Sequence, residues 1–221
     1  MRICLPEVGE ITFIYLLMKK ILQYFSWSVM LIFSVIISAS GCKSGGPKAN
    51  GQIPATQVKA PIAKGISVHE ASVNGRTDQL ISLLEAGVPV DTLDVEGRTP
   101  LMYASYNGYT TTMRKLLEKG ANVNLQDLYG RTALMMASSG PYPDAVKLLL
   151  DRSADPNLTD KEEHFSALMY AASEGQLEVV KLLLSNKADP SLKDVDGDDA
   201  LAFALSNGHS EVVLLLQALK K

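Results

Sequence analysis

The sequence predicts an all-α solenoid of about five helix–turn–helix units with hairpin-like connecting turns, and three observations carry that prediction. A passage of about 33 residues recurs along the C-terminal two-thirds of the chain. Within each copy the apolar residues fall at helical spacing rather than in alternation. No single copy is apolar enough to bury its own stripe, so neighbouring copies must stack.

The first unit, Ile66-Ser-Val-His-Glu-Ala71 followed by Asn74-Gly75 and Leu80 to Gly87, fits the grid without gaps but lacks an opening Asp-x-x-Gly turn. The second opens with Asp94-Val-Glu-Gly97, a turn signal. Thr99-Pro100 then starts a short helix: threonine accepts from free N–H groups, and proline takes a position whose own N–H is unpaired. Leu101 and Ala104 make this helix apolar and tight, Asn107-Gly108 ends it, and Met113, Leu116 and Leu117 place an apolar stripe on a second helix. The third unit repeats the plan from Asp127 through Val146–Leu150, with Gly140-Pro-Tyr-Pro-Asp144 stiffening the loop between its helices. The fourth starts at Asp160, carries one extra residue in its turn, and continues through Ser166–Ala172 and Glu178–Leu184. The fifth, from Asp194-Val-Asp-Gly197 through Glu211–Leu216, is truncated. Atypical first and last units are expected caps of the stack.

These motifs resemble the ankyrin repeat, whose pattern runs Asp-x-x-Gly-x-Thr-Pro-Leu-His-x-Ala-Ala, then Gly-His, Val-Val-x-Leu-Leu-Leu and Gly-Ala-Asp-x-Asn; the match spans residues 65–221. The pattern's histidine is Met102, Met135 and Met169 in the central copies and His69 in the first. The methionines read as core fillers. His69 and His209 read as framework residues, and His164, in the enlarged turn, as exposed. The resemblance implies a domain that binds a protein partner through its hairpin tips and the groove-facing side of its inner helices. On this chain the tips are Val95, Glu96 and Arg98; Leu128, Tyr129 and Arg131; Lys161, Glu162, Glu163, His164 and Phe165; and Val195, Asp196 and Asp198. The groove positions are Tyr103, Tyr106, Asn107, Met136, Ser139, Tyr170, Ser173, Glu174 and Phe203. Tyr103, Met136, Tyr170 and Phe203 share one repeat position and read equally as core or as groove. Tyr106, Tyr129 and Arg131 lead the candidates, because tyrosine and arginine most often anchor interfaces.

Ahead of the repeats, Met18-Lys19-Lys20, the apolar run Ile21–Ile37 and Ser38-Ala-Ser-Gly-Cys42 supply a basic n-region, an apolar h-region and a small-residue cleavage site. This arrangement resembles a bacterial lipoprotein signal peptide, which implies cleavage before Cys42 and diacylglycerol on its thiol. An uncleaved anchor is the alternative, the run being at the lower limit for a spanning helix. Residues 1–41 form the signal region, with 1–17 read as an upstream mis-start because Glu7 and Glu10 precede Met18, and 18–41 as the signal itself. Residues 42–64, with Gly45-Gly46-Pro47, Pro54 and Pro61, read as the lipidated cysteine and a flexible tether. Lys43 rather than aspartate after the cysteine implies the outer membrane, facing the periplasm. The other of the two cysteines, Cys4, precedes the mature chain, so no disulfide is expected.

Residues 64–221 hold 15 Lys and Arg against 22 Asp and Glu, a balance of −7, whereas the whole chain stands at −3. A phosphate-binding domain needs a basic face, so nucleic acid is excluded and a basic or neutral partner is implied. No nucleophile elbow, phosphate loop or paired-histidine metal motif is present, so neither catalysis nor a cofactor nor a metal is expected. Asp194-Val-Asp-Gly-Asp-Asp199 alternates carboxylates, but Leu205 stands where a calcium loop needs its closing bidentate acid. The expected function is a membrane-anchored envelope lipoprotein whose repeats, a monomeric domain, bind another protein as adaptor or stabiliser. The alternative is an immunity-type inhibitor of a periplasmic antibacterial toxin such as a lipase-like effector.

Overall fold

A computed structural model describes residues 66–219 of the chain. Among them lie five pairs of short antiparallel helices: α1 (Val68–Val73) with α2 (Thr77–Glu85), α3 (Pro100–Tyr106) with α4 (Thr110–Glu118), α5 (Ala133–Ser138) with α6 (Pro143–Asp151), α7 (Ala167–Ser173) with α8 (Leu177–Ser185), and α9 (Ala200–Ser206) with α10 (Ser210–Ala218). Odd-numbered helices pack on one another in an inner row, even-numbered helices in an outer row, and each pair closes on itself. The described residues contain no strand; the one isolated bridge joins Thr159 to Ser166.

Each inner helix starts as its sequence requires. Thr99, Thr132 and Ser166 accept from the backbone N–H three residues ahead at 3.3 Å, and Asp199 does so at 3.0 Å. The methionine at that third position is buried in the core. In two units its sulfur also accepts from the N–H of the capping residue, Met102 from Thr99 at 3.4 Å and Met169 from Ser166 at 3.5 Å. Ser67 caps α1 instead of the residue in register with Thr99, which is Ile66.

The outer helices α2, α4, α6 and α8 all end in the same reversal. The residue two places past each helix has positive φ: Gly87 at 91°, Gly120 at 87°, Ser153 at 64° and Lys187 at 68°. Its N–H and the next one return to carbonyls of the last turn, as from Gly120 to Leu117 and from Ala121 to Leu116. Beyond this reversal a side-chain ladder ties successive units. Asp91 accepts from the Asn122 N–H, Asn124 from Asp155 and Asn157 from Asp189, the last two at 2.9 and 2.8 Å.

The core lies between the two rows. Leu101, Leu134 and Leu168 are 1% exposed on the inner helices, and Met113, Leu116, Val146, Leu149, Val180 and Leu183 line the outer ones. The loop in the third unit departs from the others. Pro141 replaces the positive-φ glycine found at Gly75, Gly108, Gly175 and Gly208, and Tyr142 donates its N–H back to Gly140 at 2.9 Å. The Tyr142 ring then lies over Gly108, where a Cβ would overlap it. Tyr142 is thus a packing residue between loops.

Candidate binding surface

Every complete turn is organised by its opening aspartate. Asp94 Oδ1 accepts from the N–H groups of Glu96 and Arg98, both at 2.8 Å. Asp127 does the same for Tyr129 and Arg131, and Asp194 for Asp196 and Asp198. These are side chains mimicking a backbone turn. Consecutive turns are stitched together by the backbone: Leu128 N–H to Glu96 carbonyl at 3.0 Å, Lys161 to Tyr129 at 2.8 Å, and Val195 to Glu163 at 3.1 Å. The tips therefore form a continuous ribbon along one side of the stack.

In the fourth turn the extra residue is absorbed by His164, whose φ of 59° puts a side-chain-bearing residue in the left-handed region. The closing bond becomes Asp160 N–H to Phe165 carbonyl, where other turns close on Arg98 and Arg131. Lys161, Glu162, Glu163 and His164 are all exposed, and Phe165 turns inward to meet Tyr170 and Phe203 edge-on at 5.5 and 4.8 Å.

In the second to fourth units the second oxygen of the aspartate takes whichever partner the unit supplies. In the second unit Asp94 Oδ2 receives both Arg98 Nε at 3.3 Å and the Tyr103 hydroxyl at 2.6 Å. In the third the arginine serves alone: Arg131 reaches Asp127 Oδ2 through Nε and Nη2 at 2.7 and 2.6 Å, and Met136 has no hydroxyl to offer. In the fourth, Phe165 replaces the arginine and the Tyr170 hydroxyl donates to Asp160 at 2.9 Å. Burial pushes the Tyr103 and Tyr170 hydroxyls well above the usual tyrosine range, and their acceptor aspartates push the same way. Burial raises Asp94, but the Tyr103 hydroxyl, the Arg98 and Glu96 N–H groups and the Arg98 charge outweigh it and hold this carboxyl below the usual range.

This geometry divides the shared position Tyr103, Met136, Tyr170 and Phe203. Met136 and Phe203 are buried, so Met136, expected to touch a partner, belongs to the core: its flexible chain folds inward. Tyr103 and Tyr170 stand half-buried with their hydroxyls spent on the turns. Arg98 pairs with Glu96 at 2.5 Å and stacks on Tyr103 at 5.0 Å, and Arg131 lies 4.6 Å over the Tyr129 ring. Both arginines therefore brace the turns. Asn107 is likewise used locally, donating to the Tyr103 carbonyl at 3.0 Å, while Tyr106 stands half-buried toward Tyr142 and Glu174.

Beside the charged side chains of the later turns, the ribbon projects an apolar row. Val95 is 93% exposed, Leu128 51%, Val195 50% and Tyr129 38%. His69 donates a ring N–H to the Thr92 carbonyl at 2.8 Å, and His209 uses Nε2 on the Ser173 carbonyl at 2.9 Å, so both serve the framework. Among the described residues no group of His, Cys, Asp and Glu is placed to hold a metal ion. The Asp91, Asn124 and Asn157 ladder escaped sequence reasoning, although its recurring Asn/Asp-x-Asn/Ser spacing was a signal.

The repeat period, paired helices, aspartate turns and stitched tips meet a family model of ankyrin repeats (3 copies), which matches residues 68–160 and 140–220. The chain belongs to the ankyrin-repeat family. No curated protein matches it. Ankyrin repeats are in general non-enzymatic modules with the capacity for protein–protein interaction. The signal region, Cys42 and the tether lie outside the described residues. Among those that are described, no helix is long and apolar enough to cross a membrane.

Proposed function

We infer that this ankyrin stack is the partner-binding part of a lipid-anchored bacterial envelope protein, tethered through Cys42 and facing the periplasm, that acts as adaptor or stabiliser for another protein. The observation that carries the binding reading is the exposed row Val95, Leu128, Tyr129 and Val195, raised on turns held by their opening aspartates. Exposed apolar side chains on a hydrogen-bonded ribbon can bury against a partner while the backbone beneath them stays in place. The anchoring reading rests on the sequence from Met18 to Cys42.

Two measurements test the proposal. Partners are captured from cell envelopes with the full-length chain and with a Leu128→Ser, Tyr129→Ala variant, which spares Arg131. One dominant protein lost with the variant is the expected result. A resident enzyme identifies an adaptor, and a toxin identifies an immunity-type inhibitor. Equal capture by both baits overturns the tips as the site. Separately, metabolic labelling with palmitate should mark the chain and be abolished by Cys42→Ser, whereas an unlabelled protein retaining residues 18–41 would replace the lipid by an uncleaved anchor.

A further inference from the structure

The ribbon of tips is not uniform along the stack. Apolar side chains project from the second, third and fifth units as Val95, Leu128 and Val195, and Lys161 takes that place in the fourth. Charge is distributed quite differently. In the turn 94–98 two acids face one arginine, and the turn 127–131 is balanced at one acid and one arginine. There the arginines are consumed inside the turns, Arg98 on Asp94 and Glu96 and Arg131 on Asp127. In 160–165 three acids face one lysine, and in 193–199 four face one. The glutamates and aspartates of these later turns that point outward, Glu162, Glu163, Asp196 and Asp198, are all exposed. No arginine stands in either turn. The ribbon is thus apolar and near charge balance at its N-terminal end, apolar and strongly acidic at its C-terminal end.

The geometry points to a partner segment of matching polarity: an extended or helical stretch of a protein with apolar side chains over Val95, Leu128 and Tyr129, and a cluster of lysine or arginine over the turns holding Glu162, Glu163 and Asp198. This rests on the binding reading above and adds the chemistry and direction of the occupant. Apolar anchors supply affinity, while acidic flanks steer a basic segment and repel an acidic one. Successive tips follow the helix spacing of about 10 Å, so a segment meeting both regions would cross four turns, about 30 Å from first to last.

The test uses a random linear peptide library displayed on phage and panned against the full-length chain. Selected peptides should combine apolar residues with a Lys/Arg cluster on one side. Their affinity should fall about tenfold or more in a Glu162→Lys, Glu163→Lys variant, less in Glu162→Gln, Glu163→Gln, and fall again as salt rises. Both variants are checked by thermal unfolding, and the exposed sites predict an unchanged midpoint. Peptides without net positive charge that still need Val95 and Leu128 would overturn the basic occupant while leaving the tips as a binding surface. Peptides indifferent to every tip variant, or no enrichment at all, would overturn this docking surface, and the envelope capture then decides the binding reading independently.

Discussion

A turn aspartate whose outer oxygen has one partner behaves differently from one with two. The Asp127 side chain is fully buried and its outer oxygen depends on Arg131, whereas Asp94 keeps Tyr103 if Arg98 is lost. Removing the partner of a buried charge costs about 3 kcal/mol, a part-exposed one about 1 kcal/mol. Arg131→Ala should therefore destabilise by roughly two to three times as much as Arg98→Ala in urea unfolding. Comparable losses would show that the Asp127 turn does not rely on its arginine. The Tyr103–Asp94 pair adds a pH signature. Because Asp94 is held below the usual carboxylate range in the folded chain, its contribution is complete above the unfolded value and disappears as pH falls through the lowered one. Tyr103→Phe should cost about 1 kcal/mol near neutrality and less once Asp94 is protonated, because a neutral carboxyl accepts more weakly, so the gap between wild type and variant should narrow in acid. A constant gap across the pH range would detach Tyr103 from that carboxylate.

At the scale of the helix the sequence is legible where a residue type has one structural meaning. Thr99, Thr132 and Ser166 announce their helix starts, and Gly87 and Gly120 announce their ends. Ser153, Lys187 and His164 sit in the same left-handed region but carry no such signal, because tertiary packing imposes the conformation against their preference. The candidate surface was legible in the same partial way. The exposed tips Val95, Leu128 and Val195 followed from repeat register, but Met136 and Tyr103 share a register position and separate only through the hydroxyl that holds one of them to a turn. Lys187→Gly and Ser153→Gly restore the residue the conformation favours. Their carbonyls, which accept from Asn157 and Asn124, are kept by glycine. Each substitution should stabilise by about 1 kcal/mol, read as a raised urea midpoint at unchanged slope. A loss of stability would mean that the lysine or serine side chain contributes more than its backbone costs.

For the whole stack, stability is a sum of unit terms and neighbour interfaces, so the ends differ from the middle. The first pair buries only Val68, Ala71 and Leu80 among its apolar residues. In the last pair Leu205 is 54% exposed where Ser105, Ser138 and Ala172 are completely covered by the following unit, and Leu201 is more open than its counterparts Leu134 and Leu168. The third and fourth units are covered from both sides. Local opening should therefore begin at both ends, with amide exchange slowest in α5 to α8. Two cavity variants make this quantitative. Leu80 and Leu149 are both 0% exposed on outer helices, and truncation to alanine at either removes comparable apolar volume. Leu149→Ala, in the shared middle, should lower protection throughout the stack by about 2–5 kcal/mol. Leu80→Ala should confine its effect to α1 and α2, because the second unit can expose its N-terminal face while keeping every interface behind it. Equal global losses from the two variants would mean that the five units open as one cooperative block and that end fraying plays no part in this molecule.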